Sequence, residues 1–188
     1  MLVRLVNHFK RLNLWLGLAS VLLLVIVCLQ AKYIRDLKAD VEEFASRGRV
    51  ERGIAVPGLD ALDLAGKRTL LDYAASRVPT IIYVFRPGCP WCEMNDKAIR
   101  SLIGKVSDRY RVVGLSLTGT GLTGFLKAHP LHCPVYHDPS ASVVASLQLG
   151  TTPETIVASP AGRILASWNG AYMDGTRDPM EKFLSVSP

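Results

Sequence analysis

The sequence predicts an α/β domain, a central mixed sheet flanked by helices with an added N-terminal hairpin, preceded by one transmembrane helix. Three observations predict it. Leu12 to Ala31 run for twenty residues without a charge. The apolar β-type run Thr80-Ile81-Ile82-Tyr83-Val84-Phe85 leads into Cys89-Pro90-Trp91-Cys92 and then into the helix-forming stretch Glu93 to Arg100. Downstream, Gly150-Thr151-Thr152-Pro153-Glu154-Thr155 precedes a second apolar run, Ile156-Val157-Ala158.

The chain of 188 residues fits one domain plus an anchor. Residues 1–11 are a short basic tail. Residues 12–31 are the transmembrane anchor: twenty residues at about 1.5 Å each span roughly 30 Å, the hydrocarbon core of a bilayer. A cleaved signal peptide is the weaker reading, because Leu29-Gln30-Ala31 is a poor small-x-small cleavage site. A lipoprotein signal is weaker too, since Val27 is bulky where the residue before Cys28 should be small. Residues 32–53 are a juxtamembrane helix and linker, with Gly48 and Gly53 marking the linker. Ile34, Leu37, Val41 and Phe44 recur at helical spacing, which suits a solvated stalk or a weak homodimer seam over residues 34–44.

Residues 54–188 form the domain. Leu62-Asp63-Leu64 and Thr69-Leu70-Leu71 flank Ala65-Gly66-Lys67-Arg68 and predict a hairpin. Strand 80–85 is followed by a helix over about 91–107 and by a parallel strand, Arg111 to Leu117. A short helix over Thr123 to Ala128, a short strand Val135-Tyr136-His137, and a helix over 140–148 capped by Ser140 or Asp138 come next. A hairpin over 155–168 turns at Pro160-Ala161-Gly162-Arg163, and Asp178 opens a last helix near 179–185.

Charge narrows the function classes. The first fifty residues hold eight Lys/Arg against four Asp/Glu, and the rest hold fourteen against twelve, so the net +6 divides as +4 and +2. The domain is close to neutral and carries no basic stripe with interleaved aromatics, which argues against nucleic-acid binding. Arg4, Lys10 and Arg11 precede the apolar span while Lys32, Arg35 and Lys38 follow it, so flanking charge alone does not orient it.

Cys89-Pro90-Trp91-Cys92 between a strand and a helix carries redox chemistry. Cys89 at the helix start is the expected nucleophile, because orphan N–H groups and the helix dipole favour a thiolate there. Cys92, one turn in, is the expected resolving thiol, and Pro90 falls where a helix tolerates proline. A zinc site would need two further ligands, and no second Cys-x-x-Cys exists. His129, His132, Cys133 and His137 lie within nine residues, but their spacing matches no standard metal site, and Pro130 and Pro134 make the segment an extended connector. Cys28 in the apolar span reads as a small apolar filler.

The segment Phe85-Arg86-Pro87-Gly88-Cys89-Pro90-Trp91-Cys92 resembles the active-site turn of thioredoxin-fold proteins, and Gly150 to Thr155 resembles the segment carrying that family's cis-proline. With the N-terminal apolar span, the chain is similar to membrane-anchored thiol-disulfide oxidoreductases of the TlpA/ResA type over roughly residues 54–186. The resemblance implies a thioredoxin-like fold and a cis Thr152-Pro153 bond facing the sulfurs. It also implies a substrate-binding surface from Thr152, Pro153, Pro90 and Trp91, with Arg86 and Glu93 in support. Two departures stand out. Tyr83 occupies the place of the buried aspartate of thioredoxins, and Asn95 the place of a glutamate frequent in the ResA group. Both acids move protons to or from the buried thiol. Glu93 and Asp96 lie nearby, where solvent-facing helix positions account for them equally well.

The implied function is thiol-disulfide exchange between Cys89/Cys92 and protein clients, in the reducing direction, as in cytochrome c maturation or similar extracytoplasmic thiol maintenance. It calls for no metal and no cofactor beyond the redox-active disulfide, and for a membrane or thioredoxin-type electron donor. The implied location is the cytoplasmic membrane, single-pass, with the domain facing the periplasm or its equivalent, where disulfides persist. The alternatives are a tethered copper chaperone or assembly factor using Cys89, Cys92 and His132, and a peroxiredoxin-like peroxidase. The peroxidase wants a threonine where Arg86 stands.

Overall fold

The computed structural model describes residues 15–17, 20–36, 52–172 and 177–186. The chain divides into two units, Met1–Arg47 and Gly48–Pro188. In the first, helix α1 (Trp15–Asp36) has mean hydropathy 2.0 and is long and apolar enough to cross a membrane. It runs on past Ala31 to Asp36 without a break at Lys32. The tail 1–11, the remainder of the stalk with Leu37, Val41 and Phe44, and Gly48 lie outside the described residues.

In the second unit, seven strands among the described residues form one mixed sheet. They are β1 (Leu59–Asp63), β2 (Arg68–Leu71), β3 (Thr80–Phe85), β4 (Arg111–Ser116), β5 (Val135–His137), β6 (Glu154–Ala158) and β7 (Ile164–Asn169), in the order β2-β1-β5-β4-β3-β6-β7. The helices are α2 (Pro90–Met94), α3 (Asp96–Val106), α4 (Leu122–Ala128), α5 (Ala141–Ser146) and α6 (Arg177–Val186). β3 pairs parallel with β4, and β4 parallel with β5; β6 runs antiparallel on the other side of β3. The two parallel pairs follow from strand–helix–strand crossovers, which must be long enough to return the chain to the same end of the sheet.

β3 is buried at every position. A strand with helices on both faces loses the apolar/polar alternation of a half-exposed one, which is why its sequence reads as an unbroken apolar run. Its side chains divide between two cores. Ile81, Tyr83 and Phe85 pack with Cys89, Cys92, the α3 residues Ile99, Leu102, Ile103 and Val106, and the α6 residues Met180 and Leu184. Ile82 and Val84 pack on the opposite face with Leu59, Val113, Leu115, Val143, Leu147 and Ile156. On the first face Phe85 stacks on Tyr83 and on Phe125, with ring centroids 5.7 and 5.3 Å apart. Gly114 opposite Tyr83 is closely packed: a Cβ there would lie 3.2–3.3 Å from side-chain atoms of Val135, Leu131 and Phe85, which would have to give by a few tenths of an ångström.

Three expectations are adjusted. The helix expected over 91–107 is two segments meeting at Asn95, whose side chain is tied into the core. The first hairpin begins at Leu59, because Leu59 and Ala61 bury against the second core and extend the strand backwards. Ser140 is the N-cap of α5, but its hydroxyl meets Ser142 Oγ at 3.0 Å and makes no capping bond.

Candidate active site

The redox turn sits at the carboxyl end of the central strand. β3 ends at Phe85, and the chain reverses through Arg86, Pro87 and Gly88 before α2 begins. Gly88 has φ +73°, a left-handed conformation that only glycine adopts cheaply. Cys89 is the N-cap of α2, with φ −90° and ψ 110°, and Pro90 fills the first helical position. The Cys89 sulfur therefore lies where unpaired helix N–H groups point.

The second segment comes from the start of β6. The Thr152-Pro153 bond is cis. The Cys89 thiol donates to the Thr152 carbonyl over 3.4 Å, across 63 residues of sequence. Thr152 is thus brought to Cys89, as the resemblance implies. Pro90 and Trp91 flank the turn on the solvent side. Trp91 is 56 % exposed and Met94 64 %, so an apolar surface borders Cys89.

The two thiols are electrostatically unlike. Burial pushes the Cys89 thiol up, but hydrogen bonds from Cys92, Thr152 and the backbone N–H groups of Cys92 and Trp91 outweigh it and hold the thiol below its ordinary value. Cys92 is 1 % exposed. Burial, reinforced by its hydrogen bond to Cys89 and by the Cys89 charge, pushes its thiol up to about 12, while the Arg86 backbone amide works in the opposite sense. Such a pair has one thiol shifted toward the thiolate and one held protonated.

One polar side chain, Asn95, enters the apolar core that holds Cys92. Asn95 is buried at the α2–α3 junction. Its Nδ2 donates to the Tyr83 hydroxyl over 3.3 Å, and its Oδ1 accepts from the Tyr172 backbone N–H over 2.6 Å. The Tyr172 hydroxyl in turn meets the Glu181 carboxylate. The two residues that stand where the resembled proteins carry acids are therefore bonded to each other. Burial pushes the Tyr83 phenol well above its ordinary value.

The remaining predicted residues separate. Arg86 and Glu93 have exposed side chains beside the turn. Cys133 is half-buried against the redox-side core, and burial pushes its thiol up to about 11. His129 belongs instead with Asp96: His129 Nδ1 lies 3.5 Å and Arg100 Nη2 2.8 Å from Asp96 Oδ2. Among the described residues no group of three or more His, Cys, Asp or Glu is placed to hold a metal ion.

One buried acid had no part in the sequence expectations. Glu154, directly after Pro153, is 0 % exposed, and neither carboxylate oxygen has a hydrogen-bond partner. Burial alone pushes its carboxyl up to about 8. Its strand neighbours Ile156 and Ala158, two and four residues on, bury in the core opposite the cysteines. That alternation was the available signal.

No protein-family model matches the chain, and no curated protein matches it. Solved structures do. A crystal structure described as a candidate thiol:disulfide interchange protein DsbE from Chlorobium tepidum matches with TM-score 0.63 at 15 % identity, covering 73 % of this chain and 97 % of that one. The thioredoxin domain of a thiol-disulfide oxidoreductase from Bacteroides vulgatus matches with TM-score 0.59 at 18 % identity, covering 71 % and 98 %. StoA from Bacillus subtilis matches with TM-score 0.54 at 20 % identity, covering 69 % and 98 %. Redox turn, cis-proline strand and mixed sheet together give the domain a thioredoxin-like fold.

Proposed function

We propose that the chain is a membrane-tethered thiol-disulfide oxidoreductase that reduces disulfides in protein clients. The single observation that carries the reading is the asymmetry of the cysteine pair: Cys89 held low at a helix N-terminus beside the Thr152 carbonyl, Cys92 buried and held high. The Cys89 thiolate attacks a client disulfide and joins one client sulfur. Cys92 then attacks Cys89, closing the Cys89–Cys92 disulfide and releasing the client as a dithiol. The exposed Trp91 and Met94 offer apolar contact to the client, and the Thr152 backbone offers polar contact to an extended segment.

Residues 12–31 act as the anchor and residues 54–188 as the catalytic domain on the extracytoplasmic side of the cytoplasmic membrane. The apolar helix α1 supports the tether, and the likeness to DsbE- and StoA-type structures supports thiol maintenance such as cytochrome c maturation. A membrane or thioredoxin-type dithiol would return the electrons. The test is a trapping experiment. Cys92→Ser should accumulate a mixed disulfide through Cys89, and Cys89→Ser should form none. An adduct through Cys92 instead would reverse the roles. Membranes washed with carbonate should retain the full-length chain; a soluble product beginning near Lys32 would remove the anchor.

A further inference from the structure

We propose that Asp138 is a positioning residue for the redox turn, acting through the loop between β4 and α4, a role that rests on the exchange reading above. β3 lies between β4 and β6, and β3, β4 and β5 run parallel. The redox turn, residues 117–121 and Asp138 therefore leave their strands at the same end of the sheet. The Thr152-Pro153 segment flanks the turn on the β6 side, where the Thr152 carbonyl meets Cys89. Residues 117–121 flank it on the β4 side. The Leu117 N–H donates to the carbonyl of Phe85, the last residue of β3, over 2.9 Å. A Cβ added at Gly121 would lie 3.6 Å from Pro87 Cβ, so the loop backbone rests against the turn itself. Phe125, whose N–H bonds to the Gly121 carbonyl, stacks on Phe85.

Asp138 clasps this loop from the end of β5. Its carboxylate accepts from the Gly119 N–H with both oxygens at 3.2 Å, and Oδ2 also meets His137 Nδ1 at 2.9 Å. Its own N–H donates to the Ser116 carbonyl over 3.2 Å, so one residue grips the loop at two points. The contact is close. A Cβ at Gly119 would lie 2.8 Å from His137 Nδ1 and 2.9 Å from Asp138 Oδ2, so a side chain there would push the pair away. Asp138 makes these bonds in a left-handed conformation, with φ +47°. A residue other than glycine keeps such a backbone only where its surroundings fix it. Capping α5 does not account for it, because Ser140 is the N-cap of that helix. The titratable group on the Asp138 carboxylate is His137, whose side chain is 14 % exposed. The titratable groups facing Cys89 are Cys92 from α2 and Tyr83 from β3.

The clasp limits where the turn can move. The Cys89 thiol is held low by hydrogen bonds from Cys92, from Thr152 and from the backbone N–H groups of Cys92 and Trp91. These bonds require Cys89 to stay against the Thr152 segment, and hydrogen bonds of this kind depend on distance and angle. With residues 117–121 seated against Pro87, the turn cannot retreat toward the β4 side. With the loop released it can, and Cys89 draws away from Thr152. Asp138 touches neither thiol. It acts on the attack by Cys89 through Gly119, Gly121 and Pro87.

The test uses the full-length reduced protein in detergent and iodoacetamide, with carbamidomethylation of Cys89 read by peptide mass across pH. Two unlike variants open the clasp. Asp138→Gly removes the carboxylate and relieves the left-handed backbone. Gly119→Ala keeps both partners and forces them apart. Each should move the midpoint of Cys89 reactivity up by about one pH unit, which leaves about tenfold less thiolate below the midpoint. Rates should converge with wild type at alkaline pH. Asp138→Asn keeps an oxygen for the Gly119 N–H and tolerates the same backbone, so it should restore most of the wild-type profile. Both clasp variants should unfold cooperatively in denaturant, because the Asp138 side chain is 45 % exposed at the rim of the domain. An unmoved midpoint in both clasp variants, slowing that is equal at every pH, or a loss in Asp138→Asn as large as in Asp138→Gly would each overturn the assignment. Wild-type Cys89 reacting no faster than Cys133 would instead reject the exchange reading itself.

Discussion

The two faces of the sheet bury their acids in opposite ways. On one side, Asp96 at the start of α3 lies within ion-pair distance of Arg100 and His129. On the far face, Glu154 sits with Ile82, Val84 and Ile156 on its side of the sheet and has no hydrogen-bond partner for either oxygen. Unpartnered burial favours the neutral acid and makes the fold sensitive to pH.

The largest effect expected on this contrast is catalytic. Cys89→Ser should abolish disulfide reduction completely, whereas Glu154→Gln should leave turnover intact, as read by client thiol release under identical conditions. Equal loss in the two variants would erase the distinction between the faces.

Packing comes next. Phe85→Ala removes the ring that stacks on both Tyr83 and Phe125, and should cost about 3–5 kcal/mol in denaturant unfolding. Ile156→Ala on the far face should cost about 2–5 kcal/mol, with exchange kinetics at the cysteines unchanged. A shift in Cys89 reactivity in Ile156→Ala would show the two cores to be coupled.

Glu154 supplies the pH test. Its carboxyl goes from about 4.5 when unfolded to about 8 when folded, so the folded state holds a proton that the unfolded state has lost. Stability is full below about pH 4.5, falls as pH rises through that window, and levels off above about 8. Glu154→Gln should remove this slope and stabilise the protein at neutral pH by on the order of 3 kcal/mol. Unfolding curves at acid and neutral pH check it; parallel pH dependence in the two proteins would mean that Glu154 is ionised and solvated. The smallest effect belongs to the exposed hairpin, where Arg68→Ala breaks the 3.2 Å pair with Asp60 and should cost under about 1 kcal/mol.

Much of the architecture was legible in the chain because its signals are local. The unbroken apolar run 80–85, the glycine before Cys89, the proline after it and the Thr-Pro before Ile156 each constrain a few neighbouring residues. Such constraints survive without knowledge of what packs against them. They placed the central strand, the Cys-x-x-Cys turn and the hairpin within a few residues, whereas the cis bond was implied by the family resemblance. Strand ends were less legible: Leu59 and Ala61 join β1 because Val56, Leu71 and Tyr73 share a core with them, a contact no sequence window contains.

By itself the sequence determined which residues could do chemistry, since a Cys-x-x-Cys at a helix start, a Thr-Pro before a strand and a charge-free span of twenty residues are properties of neighbours along the chain. Only the tertiary structure decided how those residues differ. It brought the Thr152 carbonyl to Cys89 across 63 residues, buried Cys92 and Glu154, joined Asn95 to Tyr83 and Tyr172, and turned Asp96 inward. The reason is physical: proton affinity depends on desolvation and on the charges within a few ångströms, and both are set by segments distant in sequence that the fold packs together.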